Sequence, residues 1–211
     1  MNMKMHLRLW SGNMLVVLAL FFTVTLFAKT TPAVPELVNI SFSPSGRIEL
    51  NGDSTARKFS SVATIIDLKG TAKNGTSENK FGWTPNNVEM KLAIENLKSG
   101  DQTLDRHMYE ALKAEKYPNI ELKLTKFSFS KSSDSRNSVT ASGTITIAGV
   151  TNPIELNADL VIDGENLRIK GRRMLLMSDF GIDPPTMMLG ALRTRDEINL
   201  IFEITCLINL K

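Results

Sequence analysis

Most of the chain beyond residue 36 alternates between apolar and polar positions with a period of two. Val139, Ala141, Gly143, Ile145 and Ile147 are apolar or small, and hydroxyl side chains mostly stand between them. Ile154, Leu156, Ala158, Leu160 and Ile162 repeat the pattern on even positions. From Ile198 to Leu210 the alternation runs on through Leu200, Phe202, Ile204, Cys206 and Ile208. One dry face and one wet face is the signature of an antiparallel sheet. Ile120, Leu122 and Leu124 share a face, whereas Phe127 and Phe129 follow with the parity moved by one. That slip predicts a β-bulge near Lys126, where the sheet bends.

Turn chemistry divides the runs. Asp163-Gly164 is a hairpin signal, and Asn74-Gly75 separates two further runs. Ser43-Pro44-Ser45-Gly46 breaks the first run, residues 131–137 read as a polar loop, and Gly149 with Asn152-Pro153 marks another turn. The pattern predicts about eight strands, near 37–43 with 46–55, 60–72, 87–97, 119–130, 138–148, 153–163, 166–177 and 196–209. Long strands wet on one face favour closure into a barrel, because closure removes exposed edges. An eight-stranded barrel has an interior that side chains fill or that holds one small ligand.

One segment departs from period two. Leu104, Met108, Ala111 and Leu112 form the stripe of an amphipathic helix over about 104–115. Asp101 or Thr103 can cap its start, and Tyr117-Pro118 stops it. A short helical turn is expected near 185–190, opening on Pro184-Pro185 and closing at Gly190.

The first 28 residues belong to a different class. Lys4 and Arg8 precede an uncharged, almost wholly apolar run from Met14 to Ala28. A basic start, a 15-residue apolar run and a small residue at its end describe a secretory signal peptide over 1–28. The rival reading is an uncleaved anchor, for which the run is short against the roughly 20 residues of a membrane span. Residues 29–36 read as a short linker and 37–211 as the folded domain, without an integral membrane span once the signal is cut. Localisation is then secreted, in the periplasm.

This division changes the charge. The whole chain carries 25 basic and 22 acidic residues, net +3. Lys4 and Arg8 are the only charges in the first 28 residues, so 23 basic residues remain and the net charge falls to +1. The remaining cations are scattered without interleaved aromatics, so no nucleic-acid partner is expected. A single cysteine, Cys206, excludes a disulfide scaffold and any cysteine-based zinc or iron–sulfur site.

Catalytic chemistry finds little to stand on. His107, with Asp105 and Glu110 nearby, sits where a helix points neighbouring side chains apart, and a solvated helix face is the favoured reading. There is no Gly-x-Ser-x-Gly elbow and no Gly-rich phosphate loop. Neither a catalytic residue nor a metal site nor a cofactor is assigned, and the chain is read as a non-enzyme. Arg172, Arg173, Arg193 and Arg195 flank a Gly/Pro-containing loop over 178–185. They suit either a lipid headgroup or ion pairs with Asp179, Asp183 or Asp196, the second being favoured.

Three segments resemble the YceI-like family. Met108-Tyr-Glu-Ala-Leu-Lys-Ala-Glu-Lys-Tyr117-Pro118-Asn-Ile120 is similar to its helix-to-strand segment. Ser142-Gly143-Thr-Ile-Thr-Ile147-Ala-Gly149-Val-Thr-Asn-Pro153-Ile is similar to its hairpin. Ser178-Asp179-Phe180-Gly181-Ile-Asp-Pro184-Pro185, followed by Asp196-Glu197-Ile198, is similar to its carboxy-terminal signature. The resemblance spans roughly residues 46–204. It implies a lipocalin-like antiparallel barrel with a helix against it, a periplasmic location and, in some members, a polyisoprenoid chain held inside.

The expected lining follows from the inward faces. Leu122 and Leu124, Ile145 and Ile147, Leu156 and Leu160, then Ile169, Phe202 and Ile204 supply aliphatic and aromatic walls. Met174, Met177 and Phe180 join them around the loop, where Met187 and Met188 also gather. The expected partner is an apolar lipid such as a polyisoprenoid. The alternative is a structural or stress-related interaction protein whose core is filled. Oligomeric state is left open, a homodimer included.

Overall fold

The computed structural model describes residues 37–41, 45–74, 83–131, 137–163, 166–187 and 192–207. All of them fall in the compact unit Pro35–Lys211. The expected signal peptide, residues 29–36 and the turn glycines Gly75 and Gly164 lie outside the described residues.

The architecture is mainly antiparallel β. The strands are β1 (Leu37–Ser41), β2 (Ser45–Ser54), β3 (Lys58–Ala63), β4 (Asp67–Asn74), β5 (Trp83–Ala93) and β6 (Asn119–Lys131). They continue as β7 (Asn137–Ile147), β8 (Val150–Asp163), β9 (Asn166–Leu176), β10 (Thr186–Met187) and β11 (Leu192–Leu207). The helix α1 (Gln102–Ala111) lies between β5 and β6. Nine strands among the described residues have six residues or more, not the eight expected. The extra strand arises because the run expected over 60–72 is two strands, β3 and β4. The chain turns between them at Thr64-Ile65-Ile66, a β-branched stretch with no Gly or Pro to announce it.

The strand order is β1-β4-β5-β6-β7-β8-β9-β11-β2-β3, with β10 paired to β11 alone. The sheet curls into a half-barrel. Closure by a continuous ladder, expected from the sequence, is not what the pairing shows. At one end β3 pairs with β2, and its only further strand contact among the described residues is a bridge to Lys98. There Val62 N donates to Lys98 O at 2.8 Å and Lys98 N to Val62 O at 3.0 Å.

Alternation translates directly into burial. In β8, Ile154, Leu156, Ala158 and Leu160 are buried, while Glu155, Asn157, Asp159 and Val161 are exposed. The bulge is where the parity slip placed it, with the β6–β7 register shifting between Leu124 and Lys126. The β7–β8 turn is tighter than expected. It consists of Ala148 and Gly149, both at positive φ (50° and 82°), the geometry that suits the right-handed twist of a two-residue hairpin. Asn152 and Pro153 lie inside β8, opposite Ile145 and Thr144. Proline is tolerated there because β9 pairs with β8 only from Ala158 onward.

The helix begins as the capping rule predicts. Asp101 accepts hydrogen bonds from the backbone N–H groups of Thr103 (2.8 Å) and Leu104 (3.2 Å), which holds its carboxyl below the usual range. It ends earlier than the expected residue 115, at Ala111, and Lys113 follows at φ 54°. The short helical turn expected near 185–190 is not seen in the described part of that stretch, residues 185–187; a 3-10 turn stands upstream of it at Ser178–Phe180. Thr186 and Met187 form β10, and residues 188–190 lie outside the described residues.

Two polar anchors dock α1. Asp105, buried, accepts from Ser99 N at 2.7 Å and from Ser99 Oγ at 2.6 Å. Tyr109 donates its phenol to Leu97 O at 2.7 Å and accepts from Lys98 Nζ at 2.9 Å. Replacing Asp105 by Ala leaves the Ser99 N–H without its acceptor and the Ser99 hydroxyl with only Asp101 O, at 3.1 Å. The expected loss of stability is about 1–3 kcal/mol, read as a lower urea midpoint with an unchanged slope. An unaltered midpoint would mean that α1 does not depend on this anchor.

Candidate ligand cavity

The concave side of the curled sheet and α1 enclose a cavity of about 590 Å³. Its walls come from almost every layer: Ile48 and Leu50 on β2, Val88 and Met90 on β5, Leu122 and Leu124 on β6, Ile145 and Ile147 on β7. Leu156 on β8, Ile169 on β9, and Phe202 and Ile204 on β11 continue the wall. Leu104, Met108 and Leu112 of α1 and Phe180 of the 3-10 turn also line it. A volume of this size is within the roughly 300–1,000 Å³ typical of ligand pockets. Polar side chains are confined mainly to one rim, where Ser54, Arg57, Asp101, Thr103, His107, Arg193 and Thr194 stand. A second cavity of about 110 Å³ shares the walls Val88, Leu124, Leu156, Ile169 and Phe202.

Ten of the twelve expected lining residues stand on the larger cavity: Leu122, Leu124, Ile145, Ile147, Leu156, Ile169, Met177, Phe180, Phe202 and Ile204. Leu160 is buried but lines only the smaller one. Met174 lines neither and is 58% exposed. Along β9 it shares the outward parity of Arg168, Lys170 and Arg172, whereas Leu167 and Ile169 point inward. Proximity of methionines to a loop in sequence carries no information on that parity. The side chain of Met187, and Met188 itself, lie outside the described residues.

The walls not anticipated include those of β2, β3, β4, β5 and α1. The alternation of Ile48 with Leu50 and of Val88 with Met90 carried the needed signal. The apolar stripe of α1 was legible too, but as a packing face and not as a cavity wall.

His107, expected on a solvated helix face, lines the rim of the cavity. It does not converge with its neighbours on one point. Asp105 is engaged by Ser99, and Glu110 lies on the surface 4.0 Å from Arg106. Of the four arginines considered, Arg193 lines the cavity and its guanidinium has no hydrogen bond or ion pair among the described residues. Arg195 pairs with Asp53 at 3.6 Å, a partner other than the three expected. Arg172 and Arg173 are exposed on β9. Asp196 accepts instead from Ser178 N and Ser178 Oγ, which lowers its carboxyl below the usual range and ties the 178–180 turn to β11.

Cys206 is buried on β11 beside the core and lines neither cavity. Burial pushes its thiol up from 9.0 to about 12. The unfolded thiol ionises near 9.0 while the folded one does not. Its contribution is therefore fully present below pH 9 and is lost as pH rises toward 12. Melting temperatures measured across that window should fall less steeply for Cys206→Ala than for the native chain. Equal slopes would contradict the burial.

A family model for the YceI-like domain matches residues 34–206. The chain belongs to the YceI-like family. Solved structures agree on the fold at low identity. BcnA from Burkholderia cenocepacia is 11% identical with a TM-score of 0.60, covering 76% of this chain and 95% of its own. A Campylobacter jejuni YCEI protein is 22% identical with a TM-score of 0.51, covering 68% and 82%. A polyisoprenoid binding domain from Saccharophagus degradans, implicated in plant cell wall breakdown, is 8% identical with a TM-score of 0.56, covering 82% and 100%. No curated protein matches the chain at a significant level. The family match thus extends beyond both ends of the 46–204 stretch over which the resemblance runs. Among the described residues no helix is long and apolar enough to cross a membrane.

Proposed function

We propose that this YceI-like protein is a secreted, periplasmic lipid-binding protein that holds an apolar chain, a polyisoprenoid or similar lipid, and acts by binding and not by catalysis. The observation that carries the reading is the 590 Å³ cavity with its aliphatic walls. Each buried methylene contributes about 0.8 kcal/mol, so a long chain is held without elaborate polar chemistry. The fold shared with the polyisoprenoid binding domain of Saccharophagus degradans supports the ligand class. The basic, then apolar, first 28 residues support export. The cavity weighs against the alternative of a filled core.

Native purification followed by lipid extraction and mass spectrometry tests the binding. A stoichiometric apolar lipid is expected, and its absence from repeated preparations would overturn the reading. Fractionation of cells carrying the full chain tests export, the expected result being recovery in the periplasm with a new N-terminus near residue 29.

A further inference from the structure

Two polar side chains are buried among the described residues, Asp105 and Ser61. Asp105 is satisfied by Ser99. Ser61, only 2% exposed, has no partner for its hydroxyl. Buried hydroxyls are nearly always hydrogen-bonded, because leaving one unpaired forfeits its interaction with water and returns nothing. Ser61 stands on β3 between Phe59 and Ala63, opposite Leu50, and is part of the cavity wall along with Phe59, Leu50 and Ile48. It is remote from the polar rim. Four residues of strand separate it from Arg57, or about 13 Å at 3.3 Å per residue.

We propose that Ser61 is the polar recognition point of the cavity, and that the ligand carries an oxygen function, a carbonyl or hydroxyl, within its otherwise apolar length to complete that hydrogen bond. The inference rests on the reading that the cavity holds an apolar chain, and it narrows the substrate class from hydrocarbon tails to oxygen-bearing ones. A hydrogen bond gains strength where aliphatic walls exclude water. A site that bonds a ligand oxygen also discriminates against the analogue lacking it.

The test is a competition. The purified full chain is incubated with an equimolar mixture of icosane, icosan-2-one, icosan-6-one and icosan-10-one. Protein-bound material is then separated by gel filtration and quantified by mass spectrometry. An apolar wall alone would favour icosane, since a ketone loses its hydration on entry. The expected result is enrichment of at least one ketone by about fivefold over icosane, the ratio set by one net hydrogen bond. Ser61→Ala should abolish the enrichment while still retaining icosane, and Ser61→Thr, which keeps the hydroxyl, should preserve it. Ser61→Ala should also melt at the native temperature or above, because it removes an unpaired buried group. Uptake of all four compounds in their input ratio, or an enrichment that persists in Ser61→Ala, would overturn the role of Ser61 and leave the lipid-binding reading standing. Uptake of none of them would overturn both.

Discussion

Replacing Gly143 by Val is expected to unfold the protein, or to lower its stability by at least about 3 kcal/mol. Gly143 lies opposite Leu124, at the point where the β6–β7 register shifts. A Cβ built there runs into the carbonyl oxygen of Lys123 and comes within 2.8 Å of Leu124 Cα. Both obstacles are backbone atoms of a strand paired on both of its sides, so neither can swing away as a flexible side chain would. Relief would require β6 and β7 to separate where they supply Leu122, Leu124, Ile145 and Ile147 to the cavity. Thr144→Val, one residue on and facing solvent, is the matched control and should change stability by less than about 0.5 kcal/mol. Urea denaturation of both variants checks the claim. A Gly143→Val protein with the native midpoint would show that the close approach is not obligatory.

The same glycine shows how far the fold was legible. Alternation identifies strands because one face is dry, and β7, β8 and β11 were legible for that reason. The bulge at Lys126 was legible because it breaks parity. What parity does not mark is a turn made from residues that also suit strands. Thr64-Ile65-Ile66 therefore merged β3 with β4 in the sequence reading. Pro153 misled in the opposite direction: proline signals a turn, yet the local absence of β9 leaves room for it within β8.

The cavity was legible only as a set of faces. Period two decides that Ile145 and Leu156 point the same way as Phe202, but not whether their side chains meet. The gap between them depends on how the sheet curls and where α1 rests, both set by contacts distant in sequence. Tyr109 bonding to Leu97 O and Asp105 bonding to Ser99 hold α1 across the opening, so an apparent packing stripe becomes a wall. Ser61 escaped notice for a related reason. A serine in an alternating run looks like an ordinary outward hydroxyl until β3 is separated from β4 and its parity is fixed by pairing with β2.

A tryptophan at Ile169 should empty the cavity while sparing the fold. Ile169 is half-buried and lines both the 590 Å³ cavity and the 110 Å³ one, so a larger side chain there takes up space that an apolar chain would fill. Overpacking a filled core costs about 1–3 kcal/mol, but here the added atoms enter open volume, and the melting temperature should move by no more than about 4 °C. The ligand, in contrast, loses the space for its chain. Each methylene it can no longer bury removes about 0.8 kcal/mol, so exclusion of as few as four lowers affinity by about two orders of magnitude. Lipid recovered per mole of natively purified Ile169→Trp protein should accordingly fall at least about tenfold below the native chain. Met174→Trp, on the outward face of the same strand, should leave lipid content unchanged. The pair separates a ligand held within the curled sheet from one adsorbed to its exterior. An Ile169→Trp protein that folds and carries the native complement of lipid would place the ligand elsewhere.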